Sequence, residues 1–262
     1  MTEQLVVVSK DGSVGTVRLN EPDSLNALSV PMANAFKDAL IELGEDASIR
    51  ALVVTGTGRG FCAGGDVQSF YDHRDDPTEV MGEVLDGLHG AVQVLMDLPF
   101  PTIAAINGTV AGAGMGVALA TDLAIASEAA VFTMAYTGIG VSPDGSSTFW
   151  LPRMVGTRFA MEMILTNRRL SADEAVTLGL VNAAVPDAEF SGAVEALATK
   201  LAAGPTRAFV RARELIRSSF GNTPVQQMAD EAASILAAGS TKDFYEGVTA
   251  FIEKRRPDFV GS

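Results

Sequence analysis

The stretch VFTMAYTGIGVSPDGSSTFWLP, residues 131–152, holds one charged side chain, Asp144, and nothing else from Ala129 to Pro152 carries a charge. A carboxylate isolated among apolar side chains loses hydration, which disfavours its ionised form and raises its pKa. Such a group suits the carrying of a proton. The competing reading is local. Ser-Pro-Asp-Gly is turn chemistry, with proline setting φ and aspartate bonding the backbone two residues on. Asp144 could equally cap a short helix that opens at Gly145.

Two glycine-rich turns could supply partners for that carboxylate. TGTGRGFCAGGDV follows the apolar run ALVVT, and INGTVAGAGMGVALA follows TIAA. Glycines between a strand and a helix start leave backbone N–H groups pointing outward, the makings of an anion or oxyanion site. No Gly-Lys-Ser/Thr follows either turn, so neither is a nucleotide phosphate loop, and GTGRG matches the dinucleotide fingerprint only loosely. Tight packing explains most single glycine turns. Two of them, each feeding a helix, could aim two N–H donors at one carbonyl oxygen, each donor contributing about 3 to 4 kcal/mol.

The remaining reactive side chains are few. His89 lies mid-helix in LDGLHGAVQVL, where it is either a polar residue on a helix edge or a base above a bound acyl group. His73, in YDHRDDP, reads as a solvated loop residue, and Cys62 as a small buried hydrophobe. Two histidines and one cysteine give no metal-ligand spacing. The lone cysteine cannot form an internal disulfide, which fits a reducing cytoplasm.

The elements that position these groups show in the hydrophobic pattern. LVVVS, VGTVRLN, ALVVTG, TIAAIN, DLAIAS and LVNAAV read as strands, several of them continuous apolar runs suited to burial on both faces. Helical patterns alternate with them, including LSVPMANAFKDALIELGED with a Ser29 cap and Pro31 in its first turn. The alternation implies an α/β fold of ββα or βαβ units with a largely parallel sheet. After about Pro186 four helical stretches follow, broken at Gly204-Pro205 and at Gly221-Asn222-Thr223-Pro224. The expected division is a core over 1–190 and a C-terminal helical region over 191–262.

Composition excludes several classes. The 262 residues are 47% hydrophobic and 19% charged, against disorder. A formal net charge of −13 argues against a nucleic-acid partner. The N-terminus lacks a basic, then apolar, leader pattern. The uncharged run Leu98–Thr121 is long enough to span a bilayer, but Pro99, Pro101, Asn107 and four glycines make it strand, turn and helix instead.

These residues also carry a family resemblance. RGFCAGGDV resembles the first oxyanion-hole motif of the crotonase superfamily, the enoyl-CoA hydratase/isomerase family, and PTIAAINGTVAGAGMGVALATDLAIAS resembles its second. LNEPDSLNALS, MILTNRRLSADEAVTLGLVN and EGVTAFIEKRRPDF extend the likeness, in family order, over nearly the whole chain. The resemblance implies a crotonase-type ββα spiral core, a C-terminal helical region for trimerisation, homotrimers or hexamers, and an acyl-CoA thioester as substrate, with no metal and no cofactor beyond the CoA of the substrate. By position it gives the oxyanion hole to the N–H groups of Ala63 and Ala113, the latter where the family usually has Gly. It lays Ser24, Leu25, Ala27, Asp66 and the glycine-turn residues Gly64, Gly65, Val67 and Gly112 along CoA. Phe251 and Lys254, on the last helix, would reach CoA, with a subunit boundary as one route.

The family's hydratases hold a water with two glutamates, and those positions are Gly116 and Tyr136 here. Two branches place the carboxylate later, at Asp144. In the isomerases, including the ring-epoxide isomerase of phenylacetyl-CoA degradation, it moves a proton. In 4-chlorobenzoyl-CoA dehalogenase it is a nucleophile, with a histidine base at the position of His89 and an aromatic residue at that of Tyr136. The expected function is an acyl-CoA isomerase in which Asp144 moves a proton and Tyr136 shapes the acyl pocket. The alternatives are a dehalogenase or thioester hydrolase using Asp144 and His89, and a non-catalytic acyl-CoA binder.

Overall fold

A computed structural model of the chain describes residues 4–262. Among them the strands are β1 (Val6–Asp11), β2 (Val14–Leu19), β3 (Ala51–Gly56), β4 (Gly60–Cys62), β5 (Thr102–Ile106), β6 (Thr109–Ala111), β7 (Leu123–Ser127), β8 (Val131–Thr133), β9 (Leu170–Ser171) and β10 (Ala183–Val185). They form a six-stranded sheet, β1-β2-β3-β5-β7-β10, and a four-stranded sheet, β4-β6-β8-β9. Only the β1–β2 and β8–β9 pairs are antiparallel. Successive strands alternate between the sheets, from β3 to β4, β5 to β6 and β7 to β8, which makes the ββα spiral.

The helices of the spiral are α1 (Val30–Glu45), α2 (Val67–Asp72), α3 (Thr78–Asp97), α4 (Ala113–Ala120), α5 (Ser147–Val155), α6 (Thr157–Thr166), α7 (Ala172–Thr177) and α8 (Asp187–Ala202). The Ser29 side chain caps α1 by accepting the N–H of Met32. One stripe of α1, including Met32, Phe36, Leu40 and Leu43, is buried. It packs on α3 at two glycines. A Cβ at Gly87 would stand 2.8 Å from the Cβ of Ala33, and one at Gly90 2.8 Å from Cδ of Lys37. The glycines beside His89 therefore serve close helix packing.

The Leu98–Thr121 run divides among β5, β6 and α4, and among the described residues no helix is long and apolar enough to cross a membrane. α8 runs through the boundary expected at 190. Its Ala198 packs with Val53, Ile103 and Ala105 of the large sheet, so α8 is a layer of the core and the helical appendage begins after Gly204.

The appendage comprises α9 (Thr206–Ser218), α10 (Pro224–Ala238) and α11 (Lys242–Glu253). Arg213 and Arg217 fasten α9 to the core through Asp122, at 3.1 and 3.2 Å, and through the carbonyls of Phe100 and Met96. α10 has no buried residue, and Leu236 on it is 77% exposed.

Candidate active site

The two glycine turns meet. A Cβ on Gly64 would lie 3.4 Å from both the Ala113 nitrogen and the Gly112 Cα, and Gly64 itself has φ +102°. A Cβ on Gly114 would run into the Cys62 carbonyl oxygen, so α4 starts directly against β4. Cys62 is buried between them, and burial pushes its thiol up to about 12, which leaves it protonated and inert.

A main-chain N–H that finds no acceptor within the protein is available to a ligand. In the first turn Ala63 donates to the Leu25 carbonyl at 3.0 Å, Gly64 to the Cys62 sulfur, and Asp66 to the Leu28 carbonyl at 3.2 Å. The expectation that Ala63 supplies a free donor therefore fails, because its hydrogen is already committed to the loop that carries Leu25. Gly65 is the residue of this run whose N–H has no acceptor among the described residues. In the second turn Gly112, at φ +51°, turns the chain into α4 and leaves Ala113 as its first helical residue. An N–H at that position has no intrahelical acceptor, and none is recorded among the described residues.

Gly65 and Ala113 both line a cavity of about 460 Å³. Its walls include Val67, Phe70, Met81, Val84, Leu85 and Ile139, and Asp144 is the one carboxylate lining it among the described residues. Ala63, Gly64, Gly112 and Tyr136 line it too. A larger cleft of about 790 Å³ lies between the large sheet and α8; it reaches the starts of the two glycine turns at Thr55, Gly56, Gly58 and Asn107 but includes none of Gly65, Ala113 and Asp144.

Asp144 does not cap a helix. α5 begins at Ser147, whose N–H and Oγ both bond the main-chain carbonyl of Asp144. The carboxylate instead accepts the Tyr136 hydroxyl at 2.5 Å. Burial raises its pKa above the ordinary aspartate value, against the lowering effects of the Tyr136 hydrogen bond and the nearby His89. The Tyr136 phenol is pushed up by burial and by the negative carboxylate beside it, so it stays a donor. Strain marks both ends of this pair. Ala135 (φ +57°) precedes Tyr136 and Ser146 (φ +60°) follows the aspartate turn, two non-glycine residues in the left-handed region.

The turn reaches the cavity because Gly116 has no side chain. A Cβ there would stand 2.7 Å from the Gly145 carbonyl oxygen and 3.2 Å from its Cα. Gly145 (φ +56°) in turn lies against the Cα of Gly116. In this packing a side chain at 116 and the close approach of the Asp144 turn exclude each other.

Other expected residues fall elsewhere. The Asp66 carboxylate caps α2, accepting the N–H groups of Gln68 and Ser69 at 3.1 and 3.2 Å. Ser24, Leu25 and Ala27 form a loop beside the first turn, where Ser24 Oγ accepts the Ala27 N–H. That loop is held by Asn26, which sequence reasoning did not single out. Asn26 is fully buried, accepts the Glu21 N–H, and donates to the Thr57 and Gly60 carbonyls. Its φ of +59° is the local signal that asparagine tolerates. Phe251 is 82% exposed, and neither it nor Lys254, which ends α11, lines the cavity. His89 is exposed, also lies outside the lining, and accepts the Gly145 N–H at Nε2, 3.3 Å away.

A ββα spiral with two unpaired main-chain N–H groups beside an apolar cavity matches the framework of the crotonase superfamily. The chain belongs to the enoyl-CoA hydratase/isomerase family, whose profile matches residues 9–262. It is 39% identical over 248 residues to a protein of Rhodobacter capsulatus named probable enoyl-CoA hydratase, covering 95% of each chain. It is 35% identical over 259 residues to 1,2-epoxyphenylacetyl-CoA isomerase of Escherichia coli, covering 98% of this chain and 99% of that one. It is also 35% identical to 4-chlorobenzoyl coenzyme A dehalogenase-2 of an Arthrobacter species, covering 95% and 91%. The crystal structure of an enoyl-CoA hydratase from Polaromonas superposes with a TM-score of 0.92 at 33% identity, covering 97% of this chain and 99% of that one.

Proposed function

We propose that this enzyme is an acyl-CoA isomerase in which Asp144 moves a proton between two carbons of the acyl group. The observation that carries the reading is that Asp144 is the single carboxylate lining the cavity among the described residues. Adding water with a pair of glutamates needs two carboxylates, whereas a group that takes a proton and returns it needs one. The apolar walls match a hydrocarbon or aromatic acyl chain.

The step closes without another reactant. Ionised Asp144 removes a proton from the α-carbon of a 3-enoyl thioester. The electron pair moves into the carbonyl, and the N–H groups of Gly65 and Ala113 hold the resulting oxyanion. Protonated Asp144 then delivers the same proton to the γ-carbon, the double bond shifts to the 2,3 position, and the carboxylate is regenerated. The Tyr136 hydroxyl holds the carboxylate toward the cavity throughout.

The nucleophilic alternative, with His89 activating water, is weakened by the histidine itself. Its Nε2 lone pair is occupied by the Gly145 N–H, which puts the proton of the neutral ring on Nδ1 and leaves no free basic nitrogen. A non-catalytic acyl-CoA binder would not require a strained pair of residues around a desolvated carboxylate.

Assaying 3-enoyl-CoA isomerisation beside crotonyl-CoA hydration tests the reading. Isomerisation should be the faster reaction. Hydration with a kcat at or above about 10³ s⁻¹ would contradict the placement of the catalytic groups.

The exposed apolar side chains of α10 and α11 support assembly into a homotrimer or hexamer, with Phe251 and Lys254 reaching the CoA of a neighbouring copy. A stable monomer in sedimentation at micromolar concentration would remove that part of the proposal.

A further inference from the structure

The turn that carries Asp144 is gripped from two sides, and one grip is a titratable side chain. On one side Gly145 packs so close to Gly116 of α4 that a Cβ on Gly116 would stand 2.7 Å from the Gly145 carbonyl oxygen. On the other its N–H donates to Nε2 of His89 on α3, at 3.3 Å. We infer that His89 is a positioning residue that fixes the Asp144 turn as a hydrogen-bond acceptor, and that protonating its ring releases the turn. The inference rests on the proton-carrying role proposed for Asp144.

The acceptor role explains why an exposed histidine, outside the cavity, stands at this point of α3. A neutral imidazole has one lone pair and one N–H, whereas an imidazolium has two N–H groups and no acceptor. Once protonated, Nε2 would face the Gly145 N–H donor to donor. The new positive charge would also attract the nearby Asp144 carboxylate and favour its ionised form. That attraction competes with the Tyr136 hydroxyl and makes the carboxylate a poorer base.

The surroundings leave few other charges to produce such an effect. Asp86 lies three residues back on α3. Lys37 of α1 lies against the neighbouring Gly90. Tyr71 and Asp72 of α2 are exposed, and α4 contains no titratable residue. The release of the turn therefore follows the His89–Gly145 contact itself.

His89→Gln and His89→Ala separate the acceptor role from generic helix structure, because both change an exposed position. The glutamine side chain offers a carbonyl acceptor at every pH. It should keep most of the turnover at pH 8 and remove the extra drop in kcat, about tenfold, that protonating His89 adds to the acid-side fall. The alanine variant should lose kcat about tenfold at all pH values, with KM within about twofold of wild type, as expected for a misplaced catalytic group.

The direct readout does not depend on activity. In ¹⁵N-glycine-labelled full-length protein, the Gly145 amide signal should show a pH transition in wild type that is missing in His89→Gln, where only the transition of the adjacent Asp144 carboxyl remains. A Gly145 signal that does not titrate in wild type, or that titrates equally in His89→Gln, overturns the inference. Full activity of Asp144→Asn would instead overturn the underlying reading, so the two failures are distinguishable.

Discussion

Asp66 and Asp144 occupy similar places in the chain and have opposite fates. Each follows a turn bearing glycine or proline, and each stands within three residues of a helix start. The Asp66 carboxylate is consumed by the helix it precedes, bonding the N–H groups of Gln68 and Ser69. The Asp144 carboxylate is left to a phenol, because Ser147 bonds the main-chain carbonyl of Asp144 instead. A capping carboxylate is satisfied and contributes to folding. A carboxylate denied that role, half-buried and raised in pKa, is available for chemistry. Where the neighbouring backbone bonds decides which of the two an aspartate becomes.

Exchanging the side chains sharpens this contrast. Asp144→Asn keeps the shape of the site but cannot carry a proton, so turnover should fall by about 10² to 10⁴. Asp66→Ala should leave turnover within a few-fold, and denaturant unfolding should show a loss of about 1 kcal/mol. Equal losses of turnover in both would erase the distinction.

Next in size is the glycine contact that lets the turn approach. Gly116→Ala places a methyl where the Gly145 carbonyl stands. Overpacking of this kind costs about 1 to 3 kcal/mol, and the displaced turn should lower kcat. A variant with unchanged melting temperature and kcat would show that the two glycines are not in tight contact.

A smaller effect is expected at Tyr136. Its hydroxyl lowers the Asp144 pKa against burial. Tyr136→Phe removes that donor, so the carboxyl should stay protonated to higher pH. The acid limb of the kcat profile should move toward neutral pH. A limb that moves toward lower pH would reverse the role given to the phenol.

The smallest effect is on stability. A carboxyl whose pKa is raised on folding binds its proton more tightly in the native state. Its ionisation therefore costs stability as pH rises through the raised pKa. Asp144→Asn should melt above wild type at pH 8, with the gap closing toward pH 4 in calorimetry. A variant that melts below wild type at pH 8 would mean the ionised carboxylate is stabilising.

The sequence was most legible where elements are long. ALVVTG is β3 to the residue, and the Ser29 cap and Pro31 open α1 as expected. The strands of the small sheet, β4, β6, β8 and β9, have three residues or fewer, too few for periodicity to register. Asp144 stood out because charge is conspicuous in an apolar run. The donors of the first turn were less accessible. Whether Ala63 or Gly65 has a free N–H depends on where the Leu25 carbonyl arrives from another loop, and both are main-chain groups without a sequence signal. The helix around His89 was readable, but its bond to Gly145 depends on how α3 and the aspartate turn pack.

The central claim, that Asp144 carries a proton to and from the acyl group, can be tested without knowing the natural substrate. Phenylacetyl-CoA has acidic hydrogens on its α-carbon and an apolar acyl group of the kind the cavity walls suit. In D₂O, followed by NMR, wild type should exchange those hydrogens for deuterium, and Asp144→Asn should do so about 10² to 10⁴ times more slowly. Exchange at an undiminished rate in Asp144→Asn would contradict the account.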